Sequence, residues 1–215
     1  MDYIFNHPAL VFELLLQHLF VVGVALLCAI AIALPLSVLI LQSARLTAFV
    51  LGIFTLLYTI PSIALIILLI PFTGLNEWSV IIALILYVQV ILVRNNVAAL
   101  NGIDPAILEA ARGMGMNGWQ RWRRVQLPLG LPVMLAGVRI AAVVAIGIAA
   151  IGAKFNAGGL GRLLFDGIAQ TGRYDKIWAG AIAVAALAFA VNFAFMALEK
   201  YTDPARKIQM HVASK

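Results

Sequence analysis

Between Leu19 and Leu41, and again between Leu46 and Asn76, the chain carries no charged side chain. A stretch of about 20 apolar residues is long enough to cross a hydrocarbon core about 30 Å thick. Inside that core the backbone must satisfy its own hydrogen bonds, and continuous apolar runs of this kind do so as helices. Three more runs follow: Trp78 to Val93, closed by Arg94; Leu129 to Ala153, interrupted by Arg139; and Ile177 to Leu198. The expectation is an all-α integral membrane protein with five transmembrane helices, near 19–41, 48–70, 78–96, 129–153 and 177–198. The second run is overlong and holds Pro61 and Pro71, so it reads as a helix of about 22 residues followed by a non-helical turn. Charged residues make up 11% of the chain, against about 25% in soluble domains. One membrane domain over 1–215 is therefore expected, with no room for a soluble catalytic domain. The lone Cys28 lies in the first run and offers neither an intrachain disulfide nor a thiolate metal site. The start, Met1 to Gln17, holds Asp2 and Glu13 but no Lys or Arg, unlike a cleavable signal peptide.

Five spans put the two termini on opposite sides. With the N-terminus outside, the inner segments carry Arg45, Arg94, Arg112, Arg121, Arg123, Arg124, Lys200, Arg206, Lys207 and Lys215. The outer segments carry Lys154, Arg162, Arg173 and Lys176. That bias predicts an external N-terminus, a cytoplasmic C-terminus and a cytoplasmic 101–128 loop. The net charge of +6 is thereby a matter of topology, and nucleic-acid binding is not expected.

The 101–128 loop has its own grammar. Asp104 is a good N-cap and Pro105 suits a first helical position. Ala106 to Arg112 are strong helix formers, with Ala106, Ala110 and Ala111 giving one aspect of small side chains. Gly113, Gly115 and Gly118 then stop the helix and let the chain turn back. The product is a short helix beneath the membrane with an alanine surface, open to close approach by another protein, and with Glu109 offering it a carboxylate. By composition alone it also reads as an ordinary interfacial helix followed by a flexible turn.

Glu109-Ala110-Ala111, then Gly115, then Val125, then Leu127-Pro128 is a spacing that resembles the signature loop of bacterial ABC importer permeases. Those proteins carry E-A-A, three residues, G, nine residues, an aliphatic residue, one residue and L-P. The resemblance implies the type I importer permease fold, with this short helix seated in a cleft of a separate ATPase and coupling it to the spans. It implies coupling roles for Glu109, Ala110, Ala111, Gly113, Gly115, Leu127 and Pro128. Pro61-Ser62-Ile63-Ala64-Leu65, Ile70-Pro71-Phe72-Thr73-Gly74, Val93-Arg94-Asn95, Ala136-Gly137-Val138-Arg139 and Ala157-Gly158-Gly159-Leu160-Gly161 look like the osmoprotectant branch, whose solutes are glycine betaine, choline and carnitine. The likeness covers roughly Leu19 to Glu199. It departs at Lys154-Phe155-Asn156, where an apolar residue followed by Ile-Gly is expected; Asn tolerates the left-handed conformation that Gly supplies. Permeases of methionine and other amino-acid importers are the alternative, since they also carry five spans and a Gly-Gly-Leu-Gly run.

Other positions are candidates for a pathway or gate. Arg139 lies about ten residues past Pro128, or about 15 Å at helical rise, and intramembrane charge is costly. It either meets a solute carboxylate, or snorkels inward or ties down backbone carbonyls near the inner gate. Arg94 reads as an inner anchor or gate residue. Tyr58, Thr59, Pro61 and Ser62, with Tyr87, Gln89 and Asn192, either line a pathway or bond neighbouring helices. The Gly158-Gly159-Leu160-Gly161 run lacks the Lys-Ser/Thr of a phosphate loop and reads as a tight external turn before a re-entrant or interfacial segment at 163–168. The external parts show no dense aromatic cluster of the kind that cages quaternary ammonium groups.

An intramembrane enzyme is disfavoured, because His7, His18 and His211 sit at or near the ends and no catalytic set assembles at mid-membrane. A passive channel would need ring or filter chemistry that is absent from the sequence. The expectation is a multi-pass inner-membrane permease subunit with no metal and no cofactor of its own. ATP and Mg would belong to a partner ATPase dimer. The resemblance also implies a second permease subunit, identical or related, and a separate substrate-binding protein.

Overall fold

The computed structural model describes residues 2–202, in which every regular element is a helix. Arg206, Lys207, His211 and Lys215 lie outside the described residues. A short α1 (Asp2–Asn6) leads into α2 (Pro8–Ile40), whose 33 residues span about 50 Å at helical rise. This helix starts at Pro8, not near Leu19. Glu13 and Gln17 dilute the hydropathy of its first turns yet bond each other across one turn, at 3.2 Å.

The second apolar run is not one helix over 48–70. Ser43 caps α3 (Ala44–Thr59), the chain breaks at Ile60 and Pro61, and α4 (Ser62–Thr73) leaves at 95°. Pro61 has no N–H for the carbonyl four residues earlier, and its ring pushes Ile60 into extended backbone, at ψ 127°. Pro71, expected in a turn, sits inside α4. The third span, α5 (Glu77–Asn101), runs past Arg94 for two more turns. The fourth begins well before Leu129. α6 (Pro105–Gly113) is followed by α7 (Gly118–Arg121), a π-helical turn (Trp122–Gln126) and α8 (Leu127–Gly152). From Gly118 to Phe155 these form one long candidate span. α9 (Gly161–Ala169) and α10 (Tyr174–Thr202) complete the chain. Among the described residues four helices are long and apolar enough to cross a membrane, five if the bent α3–α4 pair is taken as one broken span.

α5 is the centre of the bundle, clasped by α2 and α8. Apolar lipid gives little drive for helices to associate, so close packing of small residues must supply it. Ala25, Ala29 and Ala33 on α2 and Ala141, Ala145 and Ala149 on α8 form buried stripes at helical spacing against Val80, Leu84 and Val88 of α5. Gly137 and Gly152 let α8 touch α5 closely near both ends: a Cβ there would lie 2.5 Å from Asn95 and 2.6 Å from Val80. Buried polar groups tie the layers. Gln89 donates to the Ala29 carbonyl (3.2 Å) and His18 Nε2 to the Ile146 carbonyl (3.2 Å). Gln89 thus ties α5 to α2 through its Nε2.

After α8 the chain turns through Asn156, Gly158 and Gly159, with φ of 67°, 69° and 82°. The left-handed Asn156 is as its residue type predicts. The Gly159 N–H donates to Gln17 Oε1 at 3.1 Å, anchoring the turn on α2. The 163–168 segment belongs to α9, with Leu163 buried beside α10 residue Ala179.

Candidate functional site

The short helix α6 is built as its residues require. Asp104 Oδ1 accepts the Ala106 N–H at 2.9 Å and Pro105 opens the first turn. Beyond it, Gly115 sits at φ 75° while the Met116 N–H reaches the Ala111 carbonyl (3.2 Å) and the Gly115 N–H reaches Arg112 (2.9 Å). That pair of bonds around one left-handed residue is a Schellman cap, which glycine adopts without a Cβ penalty. The stop is therefore Gly115 alone. Gly113 is the last helical residue and Gly118 opens α7.

The two faces of α6 divide the signature differently from the sequence expectation. Ala111 is 1% exposed. Leu108 and Leu127 pack on Ala99, Leu100, Ile103 and Met134. Ala111 is thus part of the inward seat, not of the outer alanine surface, and Leu127 helps hold the seat. The outward face is Ala106, Glu109, Ala110 and Gly113, all exposed, at the i, i+3, i+4, i+7 spacing of one helix side. It presents one carboxylate flanked by side chains of a methyl group or less.

The connection back into the membrane is stiff. Asn117 and Gln120 form a reciprocal capping box with both bonds at 2.9 Å, and Arg121 donates to the Met116 carbonyl (3.1 Å). Trp119 and Trp122 stack with centroids 5.2 Å apart. Pro128 does not end a loop; it lies in a continuous helix. It lacks an N–H, and the π turn before it, in which the Leu127 N–H bonds Trp122 O, absorbs the missing rung.

The pathway and gate candidates separate into two places. Tyr58, Thr59 and Pro61 are exposed and Ser62 half-buried at the α3–α4 break. Tyr58 contacts Tyr87 of α5, with ring centroids 4.7 Å apart, and further along the same seam Arg94 donates to Thr55 Oγ1 at 3.3 Å. Arg139 is elsewhere, in a cleft of about 450 Å³ between α8 and α10 lined by Pro132, Met196, Glu199 and Lys200. Its guanidinium bonds Glu199 Oε1 at 2.7 Å and Asn192 Oδ1 at 3.2 Å. Among the described residues its partners are side chains rather than backbone carbonyls, and its charge is paired with Glu199 rather than left open. Glu199 does not stand out in the sequence because it lies at the far end of the last span. The signal for it is the need of an intramembrane arginine for a partner.

Both partners of that ion pair are partly buried, so removing one strands the other. Arg139→Gln or Glu199→Gln alone lowers thermal stability of the solubilised protein, and the double variant recovers part of the loss. The cycle is expected to return a coupling of about 2 kcal/mol. Strictly additive losses would show that the two side chains do not interact.

Residues 22–208 match the profile of a family described as binding-protein-dependent transport system inner membrane component. The chain belongs to this family. Among curated permeases, the osmoprotectant import permease protein OsmW of Salmonella typhimurium is 40% identical over 207 residues, covering 94% of this chain and 96% of that one. The carnitine transport permease protein OpuCB of Listeria monocytogenes is 38% identical, covering 87% and 86%. The choline transport system permease protein OpuBD of Bacillus subtilis is 36% identical, covering 89% and 84%. Among solved structures, a chain of the inward-facing MetNI methionine ABC transporter superposes with a TM-score of 0.80 at 25% identity, over 91% of this permease and 98% of that chain. The permease fold and its multi-pass inner-membrane setting follow.

Proposed function

We propose that this permease imports quaternary ammonium osmoprotectants such as glycine betaine, carnitine and choline. The observation that carries the reading is its end-to-end likeness to permeases named for osmoprotectants, carnitine and choline. The exposed Ala106–Glu109–Ala110–Gly113 face of α6 supports docking on a separate ATPase pair, where ATP and Mg act. A binding protein delivers the solute, and a second permease, identical or related, completes the path. The basic bias of the 101–128 side supports a cytoplasmic α6 and an external N-terminus. Glu109, Ala110 and Gly113 contact the ATPase, while Ala111, Gly115, Leu127 and Pro128 hold the helix in its seat. Closure of the ATPases shifts α6, the α7–α8 lever rocks the bundle, and access alternates from outside to inside. Tyr58, Thr59, Pro61, Ser62 and Arg94 face the path, and the Arg139–Glu199 pair latches its inner end.

Import of methionine is a second reading, favoured by the TM-score of 0.80 to the methionine transporter. The two separate in vesicles holding the complete complex with its binding protein. ATP-dependent, saturable uptake of labelled glycine betaine or choline is expected, with none of methionine. Methionine uptake alone would keep the fold and overturn the solute class.

A further inference from the structure

On the reading that the solute is a quaternary ammonium compound, we propose that Tyr58 and Tyr87, at the broken end of α3, form an intramembrane cation subsite. This subsite receives the ammonium head on its way through the permease. The 16 residues of α3 extend about 24 Å, less than a full hydrocarbon core of about 30 Å. The helix therefore stops within the membrane, and α4 departs at 95°. A helix C-terminus carries roughly half a negative charge on its unserved carbonyls. Here the Leu56 carbonyl takes the Thr59 hydroxyl at 2.7 Å and the Leu57 carbonyl takes the Ile60 N–H at 3.2 Å. Pro61 offers no N–H, so the ladder ends there and the carbonyls of Tyr58 and Thr59 lie at the break.

In the last turn of α3, Tyr58 meets Tyr87 of α5, the two phenol rings tilted at 45° with centroids 4.7 Å apart, and Tyr58 is 39% exposed. Ring faces and helix carbonyls attract positive charge in the same direction. Neither demands a donated hydrogen bond. A trimethylammonium group, which has charge but no N–H, is the cation such a surface suits, whereas a neutral apolar solute gains nothing from it. Arg94 argues that this face is turned away from lipid. Arg94 is exposed on the same side of α5, two turns further in, or about 10 Å at helical rise. A charged side chain within a span faces a bundle interior or a watery cavity rather than hydrocarbon. Its guanidinium reaches Thr55, and Tyr58 keeps an exposed ring edge beside the half-buried Tyr87.

The test uses the complete reconstituted complex and initial rates of labelled choline and glycine betaine uptake. Tyr58→Leu and Tyr87→Leu should each lower kcat/KM by roughly tenfold. Tyr58→Phe and Tyr87→Phe should stay within about threefold of wild type, because the ring face is kept. Mono-, di- and trifluorinated phenylalanine at position 87 should lower the rate stepwise, since fluorine drains the ring face at nearly constant volume. Stimulation of ATP hydrolysis by loaded binding protein should survive in all variants, which also reports assembly. Leucine variants importing at the wild-type rate, or fluorinated rings behaving as phenylalanine does, would overturn the subsite while leaving the solute class standing. A wild-type complex that imports no quaternary ammonium compound would overturn the solute class and the subsite together.

Discussion

Replacing Glu109 by arginine should reduce ATP-driven uptake by about a hundredfold or more while leaving the protein inserted and assembled with its partner permease. Glu109 stands exposed at the middle of the outward face of α6, with Ala106, Ala110 and Gly113 around it. The seat of the helix is made by Ala111, Leu108 and Leu127 on the other side, so a change at 109 does not disturb folding. Reversing a charge that becomes buried against a partner costs about 3 kcal/mol or more, and each 1.4 kcal/mol is about tenfold. Basal ATP hydrolysis by the partner should persist without stimulation by loaded binding protein, which is the mark of uncoupling. Glu109→Gln should fall between the two, because it keeps the shape and loses only the charge. Uptake at the full rate by the arginine variant would sink the coupling role.

The second large effect is structural. A Cβ on Gly161 would lie 1.9 Å from the Ala150 carbonyl oxygen and 2.6 Å from its carbonyl carbon. Both atoms belong to α8 backbone, which cannot rotate away as a side chain can. Gly161→Ala therefore forces α9 off α8, at about 3 kcal/mol or more. Leu160 and Leu163, both buried in the cluster that joins α9 to α2 and α10, are displaced with it. We expect a marked fall in apparent Tm of the solubilised protein and poor recovery of the complex. Gly23→Ala and Gly147→Ala are the matched controls, since nothing lies within 4 Å of a Cβ at either position. Both lie inside helices, where alanine gains up to about 1 kcal/mol over glycine, so neither control should lower Tm. Equal Tm for all three variants would mean that α9 does not pack on α8 as described.

Glu109 and Gly161 differ in how far their neighbours along the chain reveal them. Glu109 is found from a spacing pattern, because the cap, carboxylate and turn of α6 lie close together in the chain. Gly161 reads only as part of a turn, since nothing next to it in sequence shows that Ala150 lies against it. The same holds for the other differences between expectation and fold. Residue type groups Ala111 with Ala106 and Ala110, and only the packing of Leu108 on Leu100 and Met134 decides which side of α6 is inward. Pro61 and Pro71 look alike as helix breakers, yet one bends the chain by 95° and the other sits within α4.

Sequence alone determined the helical membrane class, the number of apolar runs, the Asp104 cap, the left-handed Asn156 and the existence of the α6 segment. Each depends on hydrophobicity or on backbone preferences within a few residues, which bilayer thickness and steric rules read directly. Tertiary structure decided that Arg139 pairs with Glu199, that His18 and Gln89 tie helices, that Ala111 faces in, and that Tyr58 meets Tyr87. These are contacts between helices distant in sequence, and they depend on how each apolar stripe is turned toward its neighbour. In a chain that is apolar on nearly every side, periodicity carries too little signal to say which side that is.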